Sequence, residues 1–237
     1  MIRPLSWLLP ATIFLPLLAA LPGGTWALPL VAPLTLWFPF RERVRGRDYL
    51  GAWTLGMAWT VLLSAGVILL AIHWPEAARA GILHGEPYRR EMFGWITTGV
   101  APENDPRAFI PQHLLHLGIF LLLTWLTGGY LGLALGAALV GYMSYFVGSY
   151  AAASGHPWLG SLIAWVPWSV VRVAAFVLLG SLFARPLLVR RAWPFERWEL
   201  RLMALAAAGL LTDILVKAFF APGYGVFLRG VAGGGVG

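Results

Sequence analysis

Pro111-Gln112-His113-Leu114-Leu115-His116-Leu117-Gly118-Ile119-Phe120-Leu121-Leu122-Leu123-Thr124-Trp125-Leu126-Thr127 contains no Asp, Glu, Lys or Arg. Gly128-Gly129 interrupts it, and residues 130–152 resume the apolar character. An α-helix of about 20 apolar residues crosses the hydrocarbon core of a bilayer, so two spans joined by a tight turn account for this stretch. It also carries two histidines three positions apart near its start, where the rings of one helix face share a side.

Composition extends the same reading to the whole chain. Of 237 residues, 59% are hydrophobic, with 17 Lys+Arg and 10 Asp+Glu. So few charges cannot cover a soluble surface, and 13 Trp, 13 Phe and 7 Tyr exclude a disordered chain. The absence of cysteine removes disulfides, thiolate nucleophiles and Cys-type metal sites. The net charge of +7 sits beside apolar runs rather than in a hydrophilic domain. It therefore reads as a topology signal, with no nucleic acid as partner.

The sequence predicts an all-α, polytopic integral membrane helical bundle of about seven transmembrane helices, forming a single membrane domain over 1–237. The spans are expected at 5–21, 25–40, 50–73, 111–127, 130–152, 159–183 and 202–220. Pro22-Gly23-Gly24 divides the first two, and the charged run Arg41 to Asp48 ends the second. Ten arginines, including Arg3, Arg41, Arg43, Arg45 and Arg47, fall on one side and five on the other. The positive-inside rule then gives N-in/C-out in the cell membrane. A cleaved signal peptide is the alternative reading of the first segment, with Arg3 before the apolar run and small residues at Ala19, Ala20 and Ala27. Small residues at Ala52, Gly56, Thr60 and Ser64, and at Gly132, Gly136, Ser144 and Gly148, predict close helix packing.

Residues 74–110 form the largest hydrophilic piece, an extracytoplasmic loop in this topology. Tyr88, Met92 and Ile96 recur at helical spacing with Trp95 beside them, which predicts a short interfacial helix capping the bundle. The closing run from Gly230 to Gly237 is expected to be mobile.

All five histidines, His73, His84, His113, His116 and His156, fall toward the extracytoplasmic side of this arrangement. His113, His116, Glu86, Glu91 and His84 are the candidate catalytic set, because an imidazole and a carboxylate together perform acid and base work. His113, His116 and His84 would also suit a zinc ion that keeps one position for water. Against that, Leu114 and Leu115 between the two histidines do not give a His-Glu-x-x-His motif. Interface histidines bonded to water, headgroups or loop carbonyls explain the same residues without chemistry. Arg89, Arg90 and Lys217 are the candidate contacts for an anionic headgroup. Arg172, Asp213 and Lys217 fall inside spans, and their cost in hydrocarbon predicts one buried ion cluster.

Two resemblances are carried by short motifs. Asp213-Ile214-Leu215-Val216-Lys217 is similar to the Asp-x-x-x-Lys of microbial rhodopsins, but the third span lacks that family's arginine and carboxylates. Phe109 to Gly129 resembles the second-helix region of rhomboid proteases. That family's asparagine and Gly-x-Ser-Gly are missing here, and no histidine follows His156, so the catalytic pair is not carried over.

The expected function is a membrane-embedded transferase or hydrolase acting on a lipid-linked substrate, with membrane lipid as partner. A non-catalytic membrane subunit packed against other membrane subunits is the alternative, followed by a transporter.

Overall fold

The computed structural model describes residues 8–21, 23–100, 102–193 and 195–232. Among them there is no strand, and five helices are long and apolar enough to cross a membrane. The chain is a helical membrane protein.

Short helices open the chain: α1 (Leu8–Ala11), a 3-10 helix (Thr12–Ala20), α2 (Gly24–Val31) and α3 (Leu34–Arg45). Pro16, Pro29 and Pro39 lie inside these pieces, and Pro33 separates α2 from α3. Each proline removes a backbone donor, which is why an apolar stretch folds here as fragments. The span predicted at 25–40 is corrected twice, being broken at Ala32-Pro33 and continuing to Arg45. Charge stops insertion into lipid but does not stop helical hydrogen bonding. Arg41 lies over the Trp37 ring at 5.0 Å. Most of the span predicted at 5–21 is the α1 and 3-10 pair, and residues 5–7 lie outside the described residues.

The Asp48 carboxylate accepts from Gly51 N at 2.9 Å and caps α4 (Tyr49–His73). α5 (Pro75–Gly81) and α6 (Gly85–Thr98) fill much of the predicted loop. α7 (Pro106–Thr127) starts five residues earlier than predicted, because Asp105 caps it and Pro106 suits the first turn. Gly128 and Gly129, at φ +61° and +101°, turn the chain directly into α8 (Tyr130–Ala153).

The helix predicted at 159–183 is two helices, α9 (Pro157–Ala164) and α10 (Pro167–Phe183). Val166 is extended because the following proline disfavours helical geometry there. A short α11 (Arg185–Val189) follows, and then α12 (Arg197–Ala232), 36 residues against the 19 predicted at 202–220. Hydropathy marks only the part of α12 that hydrocarbon can surround. Of the terminal glycine run, residues 230–232 are helical and 233–237 lie outside the described residues.

α4 and α8 run side by side in the same direction, with Ser144 Oγ donating to Ser64 Oγ at 3.0 Å. α10 and α12 run antiparallel, joined through Arg172 and Asp213. The ends marked by His73, Pro106 and Ala153 therefore share one side of the bundle, and those marked by Tyr49, Thr127 and Arg197 share the other. α6 lies across the His73 end. Tyr88 meets Tyr142 of α8, Trp95 meets Trp168 of α10, and Ile96 O accepts from Arg229 of α12 at 2.6 Å. Met92, Trp95 and Ile96 are buried beneath it. The helix is a packed cap rather than one lying free on the surface.

Candidate functional site

Asp213 and Lys217 stand one helical turn apart on α12, and both are 1% exposed. Arg172 of α10 donates from Nε and from its terminal nitrogen to the two Asp213 oxygens, each at 2.9 Å. This paired geometry is the strong form of the arginine–carboxylate bond. Lys217 Nζ lies 4.3 Å from the centre of the Phe109 ring on α7.

One turn along α7 from Phe109 is His113. Its Nδ1 lies 2.7 Å from Phe109 O, and a carbonyl can only accept, so Nδ1 carries the proton. Nε2 is buried, has no hydrogen-bond partner among the described residues and faces Asp213 Oδ2 at 3.9 Å. That nitrogen either offers a lone pair to a hydroxyl or water, or takes a proton and becomes a cation beside a carboxylate. The carboxylate nearest His113 is therefore Asp213, and the histidine pair and the ion cluster form one site rather than two.

The site closes one end of an internal slot of about 100 Å³ between α4, α7, α8 and α10. His113, His116, Arg172 and Tyr142 line the slot near the capped end, and Phe40, Thr124 and Gly180 line its far end. From His113 to Thr124 the α7 wall rises about 16 Å. Glycines make the space. Gly136 is on the wall, and a side chain there would meet nothing within 4 Å. Gly132, four residues earlier, instead lets Thr124 of α7 pack against the α8 backbone. The row of small residues thus divides between helix packing and cavity.

Glu86 and the two arginines form a separate cluster on the cap. Arg89 donates twice to Glu86 at 2.8 Å, Arg90 Nε donates at 2.9 Å and Tyr145 OH at 3.2 Å. The Arg89 hydrogen bond is the main reason the Glu86 carboxyl is pushed down to about 2; burial opposes it and Arg90 adds to it. Glu86 is fully occupied with Arg89 and Arg90, and Arg89 also lies over the Phe93 ring. Glu91 is half-buried and about 140° around α6 from Glu86. None of Glu86, Arg89, Arg90 and Glu91 lines the slot.

His84 is exposed, with its ring against Tyr142. Among the described residues no three His, Asp or Glu side chains are grouped to hold a metal ion. His73 and His156 are exposed at the same end of the bundle.

Sequence reasoning missed a second buried network at the opposite end. Arg185 donates to Glu199 at 2.8 and 3.1 Å, Tyr49 OH donates to the same carboxylate at 2.6 Å and Glu196 N at 2.7 Å. Arg185 reads in sequence as one of several topology arginines. The signal was Glu199, an acid in the first turn of a helix that continues into apolar sequence. Compared with known protein families, with curated proteins and with solved structures, the chain matches none.

Proposed function

We propose that this protein is a multi-pass cell-membrane enzyme, a transferase or hydrolase, whose lipid-linked substrate places its chain in the slot and its anionic group beside Arg172. The observation that carries this reading is the meeting of half-buried His113 and Arg172, which line an apolar slot, with buried Asp213, and with Lys217 one turn from it over the Phe109 ring. In the proposed reaction His113 Nε2 accepts the proton of a water or hydroxyl as its oxygen bonds to the acyl or phosphoryl centre of the substrate. It then returns that proton to the oxygen of the ester bond that breaks, which leaves as an alcohol. Asp213 stabilises the intervening imidazolium, while Arg172, which lines the slot, balances charge on the substrate. His116, lining the same slot, supplies a second imidazole to the reacting group.

The topology proposed with it keeps seven spans, N-in/C-out. Two contacts support a second span formed by α2 and α3 together. Thr25 Oγ1 donates to Ala80 O at 3.3 Å toward the capped end, and Trp37 Nε1 donates to Gly128 O at 3.3 Å toward the other.

The test is incubation of the purified protein with membrane lipid extract, followed by mass spectrometry of the lipids consumed and formed. Turnover by the unaltered protein and a loss of about 10²-fold or more in His113→Ala are expected. Turnover equal to that of the unaltered protein in both His113→Ala and His116→Ala would discard the catalytic claim.

A non-catalytic subunit is the second reading, favoured by α7 and α12, whose apolar windows are each only 17% buried. Co-purification of a stoichiometric membrane partner without lipid turnover would select it. Transport is the third, supported by the break at Val166-Pro167 next to buried charges. Transfer of a solute across vesicles without its chemical change would select that.

A further inference from the structure

A second hollow, of about 440 Å³, lies beside the slot on the outer surface of the bundle, between α4 and the bend that joins α9 to α10. Val61 and Ile68 of α4, Leu162 of α9 and Trp165 at the bend line it. Its origin is local: Pro167 breaks the helix, so α9 leaves the line of α10 and uncovers the side of α4. Val61, near the middle of the membrane-length helix α4, and Leu162 are exposed, so an apolar hollow beside them would face lipid tails if α4 crosses the bilayer. An apolar space of this kind takes hydrocarbon in preference to water.

Thr60 and Val173 line both the outer hollow and the inner slot. Val173 is the residue after Arg172 and is only partly buried. A chain passing between Thr60 and Val173 thus meets the cationic end of the slot within one residue of the entrance.

We propose that a hydrocarbon chain of an anionic membrane lipid enters the slot sideways from the bilayer between α4 and α10, past Thr60 and Val173. Its acidic headgroup comes to rest at Arg172 and His113. The inference rests on the lipid-substrate reading above and adds the entrance and the charge of the headgroup. The capped end is not the way in, because Met92, Trp95 and Ile96 of α6 are packed against the bundle there.

The chain has no cysteine, so Val173→Cys supplies a unique thiol in protein that has already folded. The purified variant is divided, and one half is capped with a bulky maleimide. Both halves are mixed with vesicles containing a phosphatidylglycerol with a fluorescent tail, and uptake into the protein is followed by energy transfer from tryptophan. Leu205→Cys, exposed on α12, is capped in parallel as a control.

Capping at 173 is expected to slow uptake about tenfold or more, equivalent to about 1.4 kcal/mol of barrier, and capping at 205 to leave it unchanged. Tagged phosphatidylcholine is expected to be taken up less than phosphatidylglycerol. Uptake that is unaffected by the cap at 173 overturns the entrance alone, and equal uptake of the two lipids overturns the headgroup assignment alone. No uptake by the unaltered protein overturns the lipid-substrate reading and the entrance with it.

Discussion

His113 of α7 and Asp213 of α12 face each other across 3.9 Å, and each is already held from behind by another partner. Phe109 O fixes the imidazole through Nδ1, and Arg172 fixes the carboxylate through both oxygens. The ring nitrogen between them is one of the buried polar atoms without a hydrogen-bond partner among the described residues. An orphaned acceptor in such a place costs free energy, and it persists where a ligand or a proton completes it.

Asp213→Asn is expected to destabilise the protein by about 3 kcal/mol, because it leaves the half-buried Arg172 without the carboxylate that both its nitrogens bind. Arg172→Met in the same chain is expected to recover a large part of the loss. Thermal unfolding in detergent measures both, and a single Asp213→Asn variant as stable as the parent would sink the pairing.

Glu199→Gln is expected to cost a similar amount, about 3–5 kcal/mol, since Arg185 and Glu199 are both buried and share Tyr49. Glu196 also pairs with an arginine, Arg47, but on the surface, where water competes for both charges. Glu196→Gln should leave the unfolding midpoint where it is, and a midpoint that falls equally in both variants would contradict this distinction.

The cap is expected to loosen in acid. The carboxyl of Glu86 is held below its ordinary value of 4.5, at about 2, chiefly by Arg89. A lowered folded value means that the stabilisation is complete above 4.5 and is lost as pH falls from there toward 2. At about 1.4 kcal/mol per pH unit, the fall from 4.5 to about 2 corresponds to at most about 3.5 kcal/mol, less what water screens at the exposed Arg90. Protection of the α6 amides, the exchange rate corrected for the intrinsic rate at each pH, should therefore fall over that window, and in Glu86→Gln it should be reduced already at neutral pH. Protection factors that stay constant from pH 6 to 3 in the parent would count against it.

Gly132→Ala and Gly136→Ala should behave differently although they are one turn apart on α8. A methyl at 132 runs into Thr124 Oγ1, which predicts a loss of about 1–3 kcal/mol from overpacking. A methyl at 136 enters the open slot and should be nearly neutral for folding. Unfolding curves of the two variants decide it, and equal losses would mean that the slot is not open at 136.

How much of this was legible in the sequence depends on the kind of signal. Apolar runs near the length of a bilayer placed α4, α7 and α8 to within a few residues, because hydropathy and helical length act locally. The break at Val166-Pro167 was also written locally, but an apolar run of the right length concealed it. The cap helix was marked by Tyr88, Met92 and Ile96, although its partners on α8, α10 and α12 were not. Arg172 and Asp213 were matched by cost alone, since an intramembrane charge needs an opposite one.

The sequence by itself determined that the chain is a helical membrane protein and that Arg172, Asp213 and Lys217 had to be dealt with inside it. Hydrophobic length and the cost of burying charge do not depend on what packs against what. Only the tertiary structure decided that His113 belongs with Asp213, while Glu86 is taken up by Arg89 and Arg90 on the cap. A hydrogen bond or ion pair is a matter of a few ångströms between side chains on different helices. That distance is set by which helix faces meet, and glycines such as Gly132 and Gly136 control this through the room they leave rather than any pattern they show.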